Sequence, residues 1–423
     1  DVTITIDSGN QLTTNTNQLV FTAQNWNQAQ TVTVTAVDDD LVQGNRSATI
    51  QHTISSSDNQ YNGITVTPVD VGITDNDTNI SVFTNSNDDI FTIQGDSNNV
   101  KLQINLTGVN SNLVNELGVF TVDDAEGRID GIAPGTTDYA QAALDRGRVI
   151  FSALVNNPNG FDLDDISRIM EFNSGDNLRF YLVENSSFDS INTGITSISN
   201  VLFSDISNQK ITDLGNDGFS VGWKDLSGSS VDDFDNLLIQ VQSTSEPLTL
   251  GTNLQGEQQG EVLDLRSITS QVKADFVVHR EAGYNNFVGF YQVIDENGGI
   301  DTNGDGNADI LPGQSVYIQT AINSRLQDIN LTVNNQGTET YSTILDPGSI
   351  VAPFIIIDEQ PEAITDNNPN NDPPVYFPYI AANSDGSDHI RLLGNNVFGF
   401  EDLPNGGDQD FNDMIIQVQL TEM

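Results

Sequence analysis

The sequence predicts an all-β fold built from sandwich domains in tandem. Short segments that alternate polar and apolar residues, or are rich in β-branched residues, recur along the whole chain between Asn-, Asp- and Gly-rich turns. Helical periodicity is sparse, and a domain-sized pattern in the first part of the chain returns in the second. These observations predict a partial sandwich followed by two related β-sandwich or jelly-roll-like domains with few short helices.

The composition is strongly acidic. Asp and Glu total 60 against 14 Lys and Arg, so the 423-residue chain carries a formal net charge of −46. Phosphate recognition needs basic patches, which excludes nucleic acid as a partner and disfavours a bare anionic membrane surface. An excess of like charge destabilises the compact state by self-repulsion, and bound cations would relieve it.

The chain has no cysteine, which excludes disulfides and thiolate metal sites. Its apolar runs are shorter than the roughly 18 residues that indicate a membrane-spanning helix. The N-terminal DVTITIDSG is strand-like and does not resemble a signal peptide. We therefore expect part of a longer secreted or cell-surface protein, located outside the cell and cross-linked by metal ions.

Residues 1–79 are predicted to be β throughout. The strand-like segments are Val2–Ile6, Leu19–Thr22, Thr31–Ala36 and Ser47–Ile54. In Leu19–Thr22 with Asn25–Asn27, in Gln30–Asp39 and in the closing Ile73–Asp77, the block resembles a Calx-beta or closely related immunoglobulin-like repeat of bacterial surface proteins. Such a repeat normally starts with one or two more strands, so the resemblance implies that the chain begins inside a domain, through proteolysis or because another segment supplies the strand.

The same resemblance implies calcium sites at domain junctions. The carboxylates available for them are Asp38, Asp39, Asp40, Asp58, Asp75 and Asp77. The alternative is that these residues are ordinary turn carboxylates.

Residues 80–245 and 250–423 carry two diverged copies of one domain-sized unit. Trp223–Leu226 aligns with Phe400–Leu403, and at the same offset Asp233–Asn236 aligns with Asp410–Asp413. Leu117–Val122 likewise matches Val288–Val293. The unit is too long for a solenoid repeat and has the size of a domain.

Strands are expected to dominate both copies. The predicted strands are Lys101–Leu106, Gly118–Val122, Asn177–Val183, Leu237–Gln242, Asp275–His279, Phe287–Val293, Gln314–Ile318, Ile329–Val333, Val351–Ile357, His389–Leu393 and Met414–Leu420. Helices are predicted over Asp138–Asp145 and Asp162–Phe172, where the second has an Asp cap and one apolar face. Ser245–Gly260 reads as a linker and Ile364–Pro374 as an irregular loop.

The segment Phe398–Leu420, FGFEDLPNGGDQDFNDMIIQVQL, carries the strongest functional signal. Its oxygen-bearing side chains are Glu401, Asp402, Asp408, Asp410, Asn412 and Asp413, with no Lys or Arg among them. So many carboxylates on one loop repel each other, and a hard cation with oxygen ligands removes the conflict; Ca²⁺ suits flexible oxygen cages best. The alternative is a solvated acidic turn.

Copy one keeps part of this pattern. The corresponding carboxylates are Asp225, Asp232, Asp233 and Asp235. Lys224, however, stands where copy two has Glu401, so a metal site in copy one is in doubt.

Residues 301–309, DTNGDGNAD, form a second candidate calcium loop. Oxygen-bearing side chains occur at alternate positions, and a glycine at the sixth permits the sharp turn. They are Asp301, Asn303, Asp305, Asn307 and Asp309. Position 12 is Pro312 and not the bidentate Glu of an EF-hand, and no helix is predicted on either side. The loop is similar to those of dockerins and thrombospondin-type repeats; a plain Asp/Gly turn is the alternative.

Copy two also resembles a known family, the DUF4114 domain, a C-terminal domain of unknown function in secreted bacterial, especially cyanobacterial, proteins. The resemblance covers most of residues 285–420. It rests on Ala352–Phe354, Val375–Tyr379, Ala382–Gly386, Asp388–Arg391 and Phe398–Leu420. Copy one lacks the Asp-His-Ile-Arg motif and resembles a diverged relative.

Catalytic motifs are largely missing. Gly218–Gly222 matches G-x-S-x-G, but that motif requires a following helix, and here a loop and a strand follow. His52, His279 and His389 are far apart without a zinc pattern, and His389 is expected to be a strand histidine bonded to its neighbour Asp388. Carboxylate pairs for glycoside hydrolysis stay open, because their separation cannot be read from sequence.

We therefore expect a non-enzymatic, calcium-binding structural or adhesive module at the C-terminal end of a larger protein, such as an adhesin, sheath, surface-layer or filament component. A calcium-dependent glycan- or peptide-binding module is the alternative, and a hydrolase is the third. A ligand-binding module should expose aromatic residues beside the ion, for which the candidates are Tyr376, Phe377, Tyr379 and Phe398. Another copy of the same chain is a further candidate partner.

Overall fold

The protein is described from a computed structural model. The structure describes residues 1–39, 42–76, 80–84, 89–95, 97–154, 156–162, 165–215, 218–225, 234–366 and 368–423. Antiparallel sheets with few short helices make up the described chain, which confirms the predicted all-β fold. The chain forms two compact units, Asp1–Asn79 and Ile80–Met423. Within the described ranges, no helix has both the length and the apolar character needed to cross a bilayer.

The first unit contains two small antiparallel sheets. Its strands are β1 (Val2–Asp7), β2 (Leu12–Thr14), β3 (Gln18–Phe21), β4 (Val34–Ala36), β5 (Arg46–Ser56) and β6 (Val69–Ile73). The larger sheet has the order β3-β1-β5-β6, and β2 pairs with β4. The buried core consists of Ile6, Leu12, Ile50 and Ile73, which alternate with exposed residues as expected for strands with one solvated face.

The second unit begins with residues 80–245. Its strands are β7 (Ile80–Thr84), β8 (Phe91–Gly95), β9 (Asn99–Val109), β10 (Glu116–Val122), β11 (Arg148–Ser152), β12 (Ser167–Asn173), β13 (Asn177–Val183), β14 (Val201–Phe203), β15 (Gln209–Gly215), β16 (Gly218–Trp223) and β17 (Leu237–Ser243). Helix α1 (Tyr139–Leu144) precedes β11, and α2 (Phe188–Asn192) follows β13. One sheet runs β11-β10-β13-β8-β7 with β14 on β13, and the other runs β12-β9-β17-β16-β15.

Residues 250–423 complete the second unit. The strands are β18 (Leu263–Asp264), β19 (Val272–Arg280), β20 (Phe287–Val293), β21 (Thr338–Leu345), β22 (Ile350–Ile356), β23 (Val375–Tyr376), β24 (Ile390–Gly394), β25 (Val397–Phe400) and β26 (Met414–Glu422). Helix α3 (Tyr317–Asn323) lies between β20 and β21, and α4 (Pro361–Thr365) follows β22. The sheets run β18-β22-β20, with β23 on β22, and β21-β19-β26-β25-β24.

The two halves of this unit share a strand order. The sheet β12-β9-β17-β16-β15 of the first half has the same connectivity as β21-β19-β26-β25-β24 of the second. In the facing sheets, β10 pairs with β13 as β20 pairs with β22. The repeated motifs of the sequence therefore lie at matching places in two sheets of equal topology.

Most predicted strands overlap observed ones, but three local predictions are wrong. The predicted helix Asp162–Phe172 is largely strand β12, because Arg168, Met170 and Phe172 alternate inward and pair with β9. The predicted strand Gln314–Ile318 ends inside helix α3, whose buried residues lie one turn apart. The predicted strand Ile329–Val333 contributes only an isolated bridge between Leu331 and Val288. The predicted loop Ile364–Pro374 starts within α4.

The sheet that contains β26 is buried on both faces. Phe400, Met414 and Ile416 face the core of the second half, whereas Val397 and Ile415 belong to the core of the first half. A strand covered on both sides reads as a continuous apolar run instead of an alternating one, and MIIQV at the start of β26 has this character. The two halves are thus joined by a common hydrophobic core.

The predicted linker 245–260 connects the halves without regular structure, but it is packed between them. Gln255 is buried and its side chain donates to Oδ1 of Asn396 at 2.8 Å. Its neighbour Gly256 accepts a hydrogen bond from the Val149 amide at 2.7 Å. A Cβ on Gly256 would lie 2.5 Å from the Val149 carbonyl oxygen, so only glycine fits there.

A buried carboxylate, Glu116, lies at the start of β10 near the junction of the halves. Ser152 Oγ donates to its Oε2 at 3.0 Å, and the Phe188 amide donates to its Oε1. Burial raises the pKa of Glu116 to about 7, although the nearby Arg391 guanidinium opposes the rise and Asp388 adds to it. The folded state therefore holds a proton on Glu116 in conditions where the unfolded chain has lost it.

We expect Glu116→Gln to reduce the pH dependence of stability. Because the pKa is raised above its ordinary value of 4.5, stability is highest below that value and falls as the pH rises towards the folded-state pKa. Thermal melting in chelator should show a smaller decrease of Tm from pH 5 to pH 7.5 for the variant than for the parent. Glu246→Gln, which alters an exposed carboxylate, is the control; an unchanged pH profile for Glu116→Gln would contradict the assignment.

Candidate metal centre

The acidic loop 401–413 joins two paired strands. Strand β25 ends at Phe400, which pairs directly with Met414 at the start of β26. Both side chains are fully buried in the core of the second half. The strand pairing therefore fixes the positions of Glu401 and Asp402 at one end of the loop and of Asp413 at the other.

Between these ends the backbone is tightly curved. Asn405, Gln409 and Phe411 have positive φ values of 60°, 60° and 52°, and two glycines lie between them. A Cβ on Gly407 would lie 2.1 Å from Oε1 of Glu401, so the loop closes around this carboxylate only because residue 407 has no side chain. Gly399 plays a similar part, since a Cβ there would lie 2.6 Å from the Phe411 carbonyl oxygen.

Five carboxylates, including that of Glu401, form two groups that share Glu401. Glu401, Asp402 and Asp413 each place an oxygen within 4.8 Å of the others, and Glu401 forms a second such group with Asp408 and Asp410. Glu401, Asp402 and Asp413 are buried, whereas Asp408 is exposed. None of the five takes part in an ion pair within the described residues.

The environment favours the neutral forms of these groups. Burial, together with repulsion from the adjacent carboxylates, raises the pKa of Glu401 to about 7 and that of Asp410 to about 6. Burial and mutual repulsion also raise the pKa values of Asp402 and Asp413. A bound cation would reverse this balance, because an opposite charge favours the ionised carboxylates.

Hydrogen bonds satisfy only part of the cluster. Asn286 donates from Nδ2 to Oδ2 of Asp402 at 2.7 Å, and the Asp402 amide donates to Oδ2 of Asp413 at 2.7 Å. The Leu403 amide donates to Oε1 of Glu401 at 3.1 Å. Oε2 of Glu401 is buried and has no hydrogen-bond partner within the described residues, so the residue that belongs to both carboxylate groups keeps an unsatisfied acceptor.

His389, in the Asp-His-Ile-Arg motif, forms a hydrogen bond with the backbone of the acidic loop. His389 is fully buried, and its Nδ1 lies 2.9 Å from the Glu401 carbonyl oxygen, while its Nε2 lies 3.0 Å from Oδ2 of Asp385. Its ring stacks on Tyr376 at a centroid distance of 3.4 Å. The expected bond to the adjacent Asp388 is therefore replaced by one to Asp385, which also accepts from the Asn405 amide at 2.7 Å.

The donor set fits a hard divalent cation. Buried carboxylates, an orphaned carboxylate oxygen and a glycine cradle provide oxygen ligands, which Ca²⁺ and Mg²⁺ prefer. The site does not suit a metal ion that prefers nitrogen or sulfur ligands, because the chain has no cysteine and both ring nitrogens of His389 have other partners.

The first half carries the same scaffold with fewer carboxylates. Asn115 donates to Oδ2 of Asp225 at 2.8 Å, as Asn286 does to Asp402. The Asp225 amide donates to Oδ1 of Asn236 at 3.3 Å, where the second half has Asp413. Asp235 accepts from Asn110 at 2.9 Å, and Asp232 and Asp233 lie outside the described residues.

The loop Asp301–Asp309 is folded around its own carboxylates. Asp301 accepts from the amides of Asn303, Gly304 and Gly306, and Asp309 accepts from Thr302. The amide and the side chain of Asn307 both donate to Oδ1 of Asp305. Within the described residues, its three carboxylates do not form a group with oxygens inside 4.8 Å, so calcium binding by this loop stays a prediction.

The predicted sites in the first unit are also untested. Asp39 accepts from the Gln43 side chain at 2.8 and 3.0 Å, and Asp75 accepts from the Gln43 and Gly44 amides. Both carboxylates thus contact one turn, although the described residues show no three-carboxylate group there. Asp40 and Asp77 lie outside the described residues.

Two further sequence candidates take structural positions. Ser220 lies inside strand β16 opposite Gln240 and not at a strand-to-helix turn, so the G-x-S-x-G match lacks its required context. The aromatic residues expected on an exposed face are all in the interior at 1% exposure or less; they are Tyr376, Phe377, Tyr379 and Phe398.

Sequence reasoning missed the groups that support the cluster. Asn286 is distant from the loop in sequence and no local motif marks it, whereas Asp385 lies in the Ala382–Gly386 motif, where nothing in the sequence indicates its contacts with His389 and Asn405. The sequence predicts only that Gly407 is part of a turn. Its close approach to Glu401 exists only in the folded loop. The offset that aligns Leu117 with Val288 also aligns Asn115 with Asn286. This alignment is the sequence signal for the matching Asn–Asp pairs.

Comparison with known proteins supports part of the predicted resemblance. Residues 345–421 match the family described as "Domain of unknown function (DUF4114)", a segment that contains the acidic loop and its flanking strands. No curated protein matches the chain at a significant level. The resemblance of residues 1–79 to a Calx-beta repeat and of residues 80–245 to a second DUF4114 copy stay predictions.

We expect Asp413→Asn to uncouple folding from cation binding. The first half already accommodates asparagine at this place, since Asn236 accepts the Asp225 amide. The variant should keep or raise the parent's Tm in chelator, because a buried carboxylate is removed, but should lose most of the rise caused by a bound cation. Asp346→Asn, an exposed site at the opposite end of the sheet, is the matched control; an undiminished cation effect in Asp413→Asn would refute the ligand role.

Proposed function

We propose that the loop 401–413 binds Ca²⁺ and that the ion has a structural role in an extracellular module. The observation that carries this proposal is that Glu401, the residue shared by two carboxylate groups, is buried and that its Oε2 has no hydrogen-bond partner within the described residues. Burying several like charges without a counter-charge is costly, and an ion at this point would neutralise them and provide the missing partner.

Calcium suits the cluster better than magnesium. Ca²⁺ accepts six to eight oxygen ligands in flexible geometry, whereas Mg²⁺ requires a near-octahedral shell and retains several waters. The five side chains come from one short loop and are partly buried, which leaves little room for a hydrated ion. Backbone carbonyls or water could complete the calcium shell.

The ion would stiffen more than its own loop. Asn412 donates to the Asn156 carbonyl oxygen at 2.9 Å, and Asn185 donates to Oε1 of Gln409 at 3.0 Å. Both contacts join the acidic loop to the first half of the second unit. Fixing the loop with calcium would therefore also fix the junction of the two halves.

We infer that the first half is a diverged copy in which substitutions at two positions take over the neutralising role of the ion. Lys224 stands in place of Glu401 and Asn236 in place of Asp413, so two negative charges of the cluster are absent there. The Asn–Asp hydrogen bond and the strand order are common to both halves. We propose that gene-level duplication produced the pair and that only the second copy retained the strong calcium centre.

In its wider context, we propose a non-enzymatic structural or adhesive component of a secreted or cell-surface protein, such as an adhesin, sheath, surface layer or filament. Extracellular calcium modules operate with affinities of about 10⁻⁴–10⁻³ M, which allows a module without disulfides to be stabilised by the surrounding ion. The loops at 301–309 and in residues 1–79 are additional candidate sites in this proposal.

Calcium should raise the Tm of the Ile80–Met423 unit well above the value in chelator and further than equimolar magnesium does. The reason is that an ion bound only by the native state stabilises it by mass action. Differential scanning calorimetry of the full chain in EDTA, magnesium and calcium provides the measurement. Identical melting in EDTA and in millimolar calcium would eliminate the proposal.

Calcium stoichiometry should distinguish the two loops of the second half. Asp410→Ala should remove one site and Asp305→Ala another, with the circular dichroism spectrum retained in both variants, because each residue lies in a loop outside the strands. Isothermal titration with calcium measures the number of sites. If both variants keep the parent's stoichiometry, the ligand assignments are incorrect.

A further inference from the structure

A polar pocket opens beside the proposed calcium centre. It has a volume of about 420 Å³ and lies where β19 ends and β21 begins. The side chains that give it its character are Arg280, Asn285, Asn334, Glu339, Tyr341 and Gln360. The volume is within the range of about 300–1,000 Å³ that is typical of small-molecule sites.

The pocket has unused hydrogen-bonding capacity. Arg280 is 3% exposed, and its Nη1 donates to the Val333 carbonyl oxygen at 2.8 Å, but its buried Nε has no partner within the described residues. The side chains of Asn334, Glu339 and Gln360 are exposed, and no hydrogen bond to them is formed by the described part of the chain. Nη1 and Nη2 of Arg280 also donate to Oδ1 of Asn285 and to the Ala282 carbonyl oxygen, both at 3.3 Å, so the donors and acceptors free for a ligand are those of Asn334, Glu339 and Gln360.

This chemistry suits a neutral polyhydroxylated ligand. Each sugar hydroxyl both donates and accepts hydrogen bonds, as side-chain amides do, and the half-buried Tyr341 offers an aromatic surface for the apolar face of a sugar ring. An anionic ligand would meet Glu339 and the net charge of −46. An apolar ligand would displace water from the amides of Asn334 and Gln360 without replacing its hydrogen bonds.

Asn286 connects the pocket with the carboxylate cluster. It lines the pocket, and its Nδ2 donates to Oδ2 of Asp402 at 2.7 Å, while its Oδ1 accepts from the Asp358 amide at 3.3 Å. Binding a cation at Asp402 would therefore fix one wall of the pocket.

We propose that this pocket is a binding site for a neutral saccharide, of mono- or disaccharide size, as part of a glycan. The calcium dependence of the site rests on the function proposed above, whereas the pocket itself does not. The proposal gives the module a recognition surface distinct from the aromatic residues expected from sequence, which are buried.

Saturation-transfer NMR on the full chain tests the proposal with a panel of neutral probes: glucose, galactose, mannose, N-acetylglucosamine and their β-linked disaccharides, with glucuronate as the anionic comparison. In saturating calcium, at least one neutral probe should give a signal that exceeds the signal of glucuronate. The double variant Asn334→Ala/Gln360→Ala should weaken binding about tenfold or more. Both residues are exposed loop positions, and Gln258→Ala is the control for loss of an exposed amide.

Chelation should weaken saccharide binding severalfold in the parent, and isothermal titration of calcium on the same sample reports the ion separately. If calcium binds and no neutral saccharide does, the pocket proposal fails while the calcium proposal survives. A signal that persists in the double variant, or one given by glucuronate alone, also overturns it. Saccharide binding that is equal in calcium and in chelator overturns the coupling of the pocket to the ion.

Discussion

The pairing of β25 with β26 is the constraint on which the acidic loop and the joint between the two halves of the second unit depend. Pairing of Phe400 with Met414 forces Glu401, Asp402 and Asp413 together at the edge of a hydrophobic core. Like charges in such surroundings favour protonation or a counter-ion. The curved backbone, Gly407 and the buried amide of Asn286 all serve to keep these groups in place, so the loop is organised for neutralisation from outside the chain.

This joint is supported from both halves. One face of its sheet packs in the second half's core, and the other contributes Val397, Phe411 and Ile415 to the core of the first. The guanidinium of Arg391 lies 4.0 Å from the centroid of Phe411, which adds a cation–π contact at the same boundary. A change in the acidic loop therefore acts on a shared core, and an ion there would influence more than local order.

The two halves share one scaffold but differ in the number of negative charges at the acidic loop. Each has an asparagine that donates to a buried aspartate after its central strand, and each has a glycine against a phenylalanine carbonyl, Gly222 with Phe234 and Gly399 with Phe411. In the first half, a lysine and an asparagine lower the number of negative charges. In the second, the carboxylates remain, and we propose that a bound cation neutralises them. The shared scaffold is thus compatible with both sets of side chains. Exchanging a residue of one half for its counterpart in the other therefore tests the role of the charge without changing the fold.

The sequence by itself determined the all-β class, most strands, the internal repeat and the acidic loop, because alternation, β-branching and clustered Asp are local properties. It did not determine that Ser167–Asn173 is a strand or that Tyr317–Asn323 is a helix, since short apolar segments satisfy both periods and the neighbouring strand decides. It also could not place Asn286, Asp385 and His389 around Glu401. Asn286 is far from the loop along the chain, and the contact of His389 with the Glu401 carbonyl oxygen forms only when β24 pairs with β25. Burial of Glu401 likewise follows from packing on both sides of β25 and β26, so the raised pKa values of these carboxylates arise from the tertiary structure.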